Sequence, residues 1–87
     1  MRIKTTPRFD RRLKAFVKSH PELREKTAEL IDRIALNPFH PRNKTHMLSG
    51  ALKGVWAADI NYHYRILFLL SDDAAELVNV GSHDEVY

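Results

Sequence analysis

The sequence predicts an α+β domain in the order β-α-α-β-β-β, an N-terminal helical hairpin packed on a twisted, mostly antiparallel four-stranded sheet. Two observations carry this expectation. Apolar residues between positions 7 and 36 recur at helical spacing, whereas those between 55 and 81 gather in short runs of branched and aromatic residues. The two blocks are separated by "NPFHPRNKTHMLSG", whose two prolines forbid continuous regular structure. Helices and strands segregated along the chain point to α+β rather than to alternating α/β architecture. At 87 residues there is room for one core and so one domain, residues 1–87.

Each element has its own signal. "MRIKTT" reads as a short strand anchored by Ile3 and closed by Pro7. From Pro7 to about Ser19, Phe9, Leu13, Phe16 and Val17 fall at i, i+4, i+7 and i+8, an amphipathic stripe with Arg8, Arg11, Arg12 and Lys18 off it. "SHPELREKTAELIDRIALNP" starts again at Pro21, suited to a first helical position, and places Leu23, Leu30, Ile31 and Ile34 on a second apolar face until Asn37 and Pro38 stop it. Residues 55–60 and 62–70 read as strands with Asn61 near the turn, "SDDAA" as a turn, and "ELVNVG" as a last strand.

Helices on one side leave the sheet a second, open face. Period-two spacing puts Tyr62, Tyr64, Ile66 and Phe68 on one face and His63, Arg65, Leu67 and Leu69 on the other, so His63 and Arg65 are expected to point the same way. The last residues, "GSHDEVY", read as the run-out of the final strand, with His83 at its end and Tyr87 outside the core.

Composition narrows the functional classes. Without cysteine, neither a disulfide framework nor a thiolate metal site can hold the fold, and nothing points to an oxidising compartment. The N-terminal stretch lacks an apolar signal region and the longest apolar run, "ILFLL", is too short to span a bilayer. A cytoplasmic protein with no membrane partner is expected. Residues 1–20 carry seven Lys/Arg against Asp10 alone, whereas residues 70–87 carry five acids and no Lys/Arg. A basic end suits a polyanionic partner such as RNA, DNA or an acidic protein segment, and equally a solvated helix face.

Chemistry-bearing side chains gather in the second half: His46, Lys53, Asp59, His63, Arg65 and His83. Histidine suits proton transfer near neutral pH, and the planar arginine fork matches a phosphate. Together with lysine they supply what metal-free cleavage of RNA needs. A base takes the ribose 2′-OH proton, an acid protonates the leaving 5′-oxygen, and cations stabilise charge growing on phosphorus. Each residue also has a plain structural reading: a strand histidine as a surface group, Arg65 as an ion-pair partner of Asp59. His46, His63 and His83 lack the short local spacings of familiar zinc sites, and no cofactor is expected. "GALKG" has no strand-to-helix context for a phosphate loop and reads as a turn.

The succession "NPFHP", "HMLSGALKGVWAADI", "YRILF" and "VGSHDEVY" resembles the RelE/ParE superfamily of bacterial toxins, and within it the RelE/StbE and YafQ-like mRNA interferases. The resemblance covers nearly the whole chain and implies a twisted antiparallel sheet with an N-terminal helical hairpin. It implies the toxin of a type II toxin-antitoxin module that enters the 70S ribosome A site and cuts mRNA without a metal. A cognate antitoxin would block it, and operator DNA would be met only through that complex.

By the same resemblance, His46 is a base or base-orienting group and Arg65 holds the scissile phosphate; Lys53, from its charge, is read as a further phosphate contact. His83 is the general acid, and Tyr87 an aromatic that stacks on or positions a nucleotide. YafQ-like members tend to carry a histidine followed four residues on by an aspartate; here Asp59 precedes His63, and both stand as secondary candidates to assist His46. ParE-type gyrase inhibitors share the fold and form the first alternative. A non-catalytic nucleic-acid-binding module and a degenerate toxin that only completes an antitoxin complex are the others.

Overall fold

Thr6 starts the first helix: its hydroxyl accepts the Phe9 amide at 3.0 Å, and Pro7, with no amide hydrogen to satisfy, takes the first helical position. In the computed structural model, which describes all 87 residues, β1 (Arg2–Thr5) precedes this helix, α1 (Pro7–Ser19). A 3-10 turn at Pro21–Leu23 leads into α2 (Arg24–Leu36). There follow β2 (His46–Met47), β3 (Trp56–Asp59), β4 (Tyr64–Leu70), β5 (Ala74–Ser82) and α3 (His83–Val86).

The sheet has five strands in the order β1-β5-β4-β3-β2. β1 runs parallel to β5 and the other neighbours are antiparallel. The expected helical hairpin on a mostly antiparallel sheet is what forms. The additional strand, β2, is only two residues long and pairs His46 with Ala57 and Met47 with Trp56. Nothing in so short a piece of a proline-containing loop shows period-two alternation, so only pairing reveals it.

Two apolar clusters sandwich the sheet. On the helical side, Phe9 and Phe16 of α1, Leu30 and Ile34 of α2, and Ile66, Phe68 and Leu77 of the sheet belong to one buried cluster of 12 residues. The stripes read from spacing form this core, with one amendment. Arg12, three residues after Phe9 and four before Phe16, lies at the edge of the packed face, where its Nη2 donates to the Val80 carbonyl at 3.4 Å.

The second face is not the open surface expected. Leu48, Ala57, Leu67 and Val86 make a smaller cluster there, with Leu52, Val55 and Val78 packed against it. The cover is the loop between β2 and β3 together with α3. Gly50 and Gly54, at φ 69° and 95°, turn that loop in the left-handed region. The Leu48 amide closes it on the Val55 carbonyl at 2.9 Å.

Two further expectations are corrected. His63 lies outside β4: the Asn61 side chain accepts the His63 and Tyr64 amides at 2.9 Å each, forming a bend before the strand begins at Tyr64. Strand parity therefore does not reach His63. Likewise "GSHDEVY" is no strand run-out. Ser82 accepts the Glu85 amide and Glu85 accepts the Ser82 amide, a reciprocal capping box that starts α3.

Candidate active site

The site lies on the face away from the helical hairpin, where β2, β4 and α3 converge. Arg65 occupies the middle of the sheet, opposite Asp59 on β3 and Gly81 on β5. Its Nε donates to Asp59 Oδ1 at 3.2 Å, and both side chains are less than one-fifth exposed. With Nε so held, the two Nη groups remain as a fixed fork for an anion. Asp59 is thus engaged as the residue that orients Arg65.

Gly81 makes the next step possible. A Cβ there would meet Glu85 Oε1 at 3.1 Å, Glu85 Cβ at 3.2 Å and Val86 Cγ1 at 3.3 Å, so any side chain would crowd α3 where it folds back over the strand. Val86 is buried in the small cluster and anchors the helix. Glu85 is held below the ordinary carboxylate range by the hydrogen bonds from Ser82, first from its amide and then from its hydroxyl.

The fold-back brings His83 and Tyr87 over the site. The His83 and Tyr87 rings meet edge-on at 4.1 Å, and the Arg65 guanidinium carbon lies 5.6 Å from the Tyr87 ring centroid. The Tyr87 hydroxyl lies 3.4 Å from His46 Nε2, a long contact that joins β2 to α3. Burial is the main influence that raises the Tyr87 phenol above its ordinary value, aided by Asp59 and opposed by Arg65. It therefore stays protonated through the neutral range.

His46 is oriented from behind. Its Nδ1 is 3.1 Å from the Lys44 carbonyl, which can only accept, so in the neutral ring Nδ1 carries the hydrogen and Nε2 the lone pair. The Tyr87 hydroxyl donates to that lone pair. Lys44 presents its carbonyl from a left-handed backbone, φ 51° and ψ 39°, at the end of the 3-10 turn Pro41–Asn43. Sequence spacing carries no hint of this role, because the acting group is main chain.

A cleft of about 350 Å³ opens beside these groups, lined by Leu48, Ser49, Ala51, Leu52, His83 and Tyr87. His83 and Tyr87 line this cleft, and Tyr87 in turn touches His46 and the Arg65 guanidinium, with Asp59 behind Arg65. Lys53 is exposed one residue beyond Leu52, on the loop that borders the cleft. His63 stays outside: its ring lies 4.0 Å from Tyr62 and 6.1 Å from Tyr64, at the hairpin bend. Nowhere do three His, Asp or Glu side chains gather as a metal site would require.

The sequence matches the YoeB-like toxins of bacterial type II toxin-antitoxin systems over residues 6–84. The chain belongs to that family. As a YoeB-like toxin it also shares its fold with solved structures. YafQ from E. coli strain BL21(DE3) aligns with a TM-score of 0.85 at 21% identity, over 100% of this chain and 99% of that one. A metal-bound toxin from Helicobacter pylori aligns with a TM-score of 0.82 at 27% identity, over 100% and 99%. A YoeB-YefM toxin-antitoxin heterotetramer from Staphylococcus aureus aligns at 0.76 and 21%, over 95% and 97%. No curated protein sequence matches the chain.

Proposed function

We propose that this YoeB-like toxin is a ribosome-dependent mRNA endonuclease that cuts by metal-free attack of the ribose 2′-OH. The observation that carries the reading is the hydrogen-bonded pair of His46 Nε2 and Tyr87, set beside His83 and under the free fork of Arg65. Once the substrate displaces the Tyr87 hydroxyl from its lone pair, His46 Nε2 is the base that takes the 2′-OH proton. The freed oxygen forms a bond to phosphorus, the bond from phosphorus to the 5′-oxygen breaks, and His83 protonates the departing oxygen. The products are a 2′,3′-cyclic phosphate and a 5′-hydroxyl. Arg65, aimed by Asp59, stabilises charge on the phosphoryl oxygens, and the Tyr87 ring offers a stacking surface for a base.

Side chains thus provide base, acid and cation, and the reaction asks no metal of the protein. A cognate antitoxin is the expected protein partner, as in the YoeB-YefM assembly. The exposed cations of α1, Arg8, Arg11, Lys14 and Lys18, suit an acidic segment of it. The ribosome and mRNA place the working protein in the cytoplasm.

Primer extension on an mRNA in a purified translation system tests the reading. A cut is expected with ribosomes and not without them. Replacing His83 or Arg65 by alanine should slow it by about 10²–10⁴-fold with the fold intact. No cut with wild-type protein, or loss of gyrase supercoiling while translation continues, overturns it.

A further inference from the structure

A second polar cleft, of about 190 Å³, lies on the other side of β3, lined by Lys26, Glu29, Arg33, Arg42, Asp59 and Ile60. Three features suggest what it holds. Lys26, Glu29 and Arg33 stand at i, i+3 and i+7 on α2, one face of the helix. Arg33 is fixed there: its Nε donates to Oδ1 of the fully buried Asn43 at 2.8 Å, and Asn43 Nδ2 donates in turn to the Asn37 and Pro38 carbonyls at 3.3 and 3.5 Å. The ion pairs of the chain are Arg2 with Asp73, His20 with Glu22, Arg65 with Asp59 and His83 with Asp84, so Lys26, Arg33 and Arg42 are all unpaired.

A guanidinium whose Nε is anchored and whose Nη fork is empty is preorganised for a phosphate. The cleft is linked to the candidate active site through Asp59. β2 pairs only with Trp56 and Ala57, so the Asp59 end of that edge is open, and Asp59 lines this cleft while its Oδ1 holds Arg65. With Asp59 neutralised by Arg65, the cleft carries three cations against Glu29. Its one apolar residue, Ile60, offers little of the buried apolar anchoring that a protein segment needs.

We propose that this cleft binds a second backbone phosphate of the same RNA strand whose scissile phosphate Arg65 holds, the strand crossing the open edge of β3 at Asp59. The proposal rests on the nuclease reading for its ligand. It is tested by fluorescence anisotropy on a single-stranded 2′-O-methyl RNA, which cannot be cut, titrated with NaCl. Exposed Lys26→Gln with Arg42→Gln should flatten the plot of log affinity against log salt by about 0.7 for each phosphate the protein no longer neutralises. Lys4→Gln with Lys18→Gln removes the same charge elsewhere and should leave the slope alone. Equal slopes for the two double variants overturn the proposal.

A photo-crosslinker, p-benzoylphenylalanine in place of Glu29, gives a second reading on programmed ribosomes and decides if free RNA binds too weakly to titrate. Crosslinks to mRNA are expected; crosslinks only to ribosomal RNA or to an antitoxin overturn it. Failure of this cleft alone leaves wild-type cleavage by primer extension intact, whereas failure of the nuclease reading abolishes that cleavage.

Discussion

The two faces of the sheet are closed by different means. The helical face is sealed by large side chains from two 13-residue helices, among them Phe9, Leu30 and Ile34, packed on Phe68 of the sheet, none of them exposed at all. The site face is sealed by a glycine-turned loop and the single turn of α3, over a cluster of only four buried residues. Stability is concentrated on the first face and the candidate site on the second. Elements that must admit a substrate are drawn from the weakly packed part of a fold.

Substitutions can break that division. Phe68→Ala removes a fully buried aromatic from the helical core and should cost about 3–5 kcal/mol, seen as a lower urea midpoint for the whole domain. Should the loss prove below about 1 kcal/mol, the helical face is not where stability lies. Val86→Ala deletes two methyl groups from the small cluster, about 1–2 kcal/mol, and the loss should be local. Hydrogen exchange should quicken in α3 while the amides of α1 and α2 keep their protection, and cleavage should fall about ten-fold as docked α3 becomes scarcer. Uniform loss of protection would mean that the two faces unfold as one.

The smallest effect sharpens the comparison by pH. Glu85 is exposed and its pKa lies below the ordinary 4.5. A depressed carboxylate stabilises the folded state above its unfolded pKa and loses that contribution as pH falls through the folded one. Glu85→Gln should therefore lower the melting temperature slightly at pH 7, and the difference from wild type should close as pH drops below about 4.5. A gap that persists under acid conditions would assign the effect to packing.

The helical face was legible in the sequence because its signals are periodic. Phe9, Leu13, Phe16 and Val17 announce α1 by spacing, and Ile66 and Phe68 fall together by strand parity. The site was legible only in part. Resemblance to a family names His46, Arg65, His83 and Tyr87, and the structure gathers the first three around Tyr87. Strand parity misplaces His63, because the bend that Asn61 stabilises breaks the strand pattern before Tyr64. The helical ending was readable after all: Ser82 followed three residues later by Glu85 is a capping-box signature. What no pattern could show are the Lys44 carbonyl, whose identity as an acceptor every residue shares, and the sharing out of Asp59 to Arg65.

The parallel pairing of β1 with β5, Arg2 opposite Ala74 and Thr5 opposite Leu77, sets the order of assembly during synthesis. β1 leaves the ribosome without a partner until β5 follows it, and pairings between such distant residues form late. His83 and Tyr87 come later still, and α3 needs β5 in place beneath it before it can dock. The nascent chain therefore has no assembled site while the ribosome is still making these elements. On the proposed reading, the toxin is in this way harmless to the ribosome that produces it until β5 and α3 have emerged.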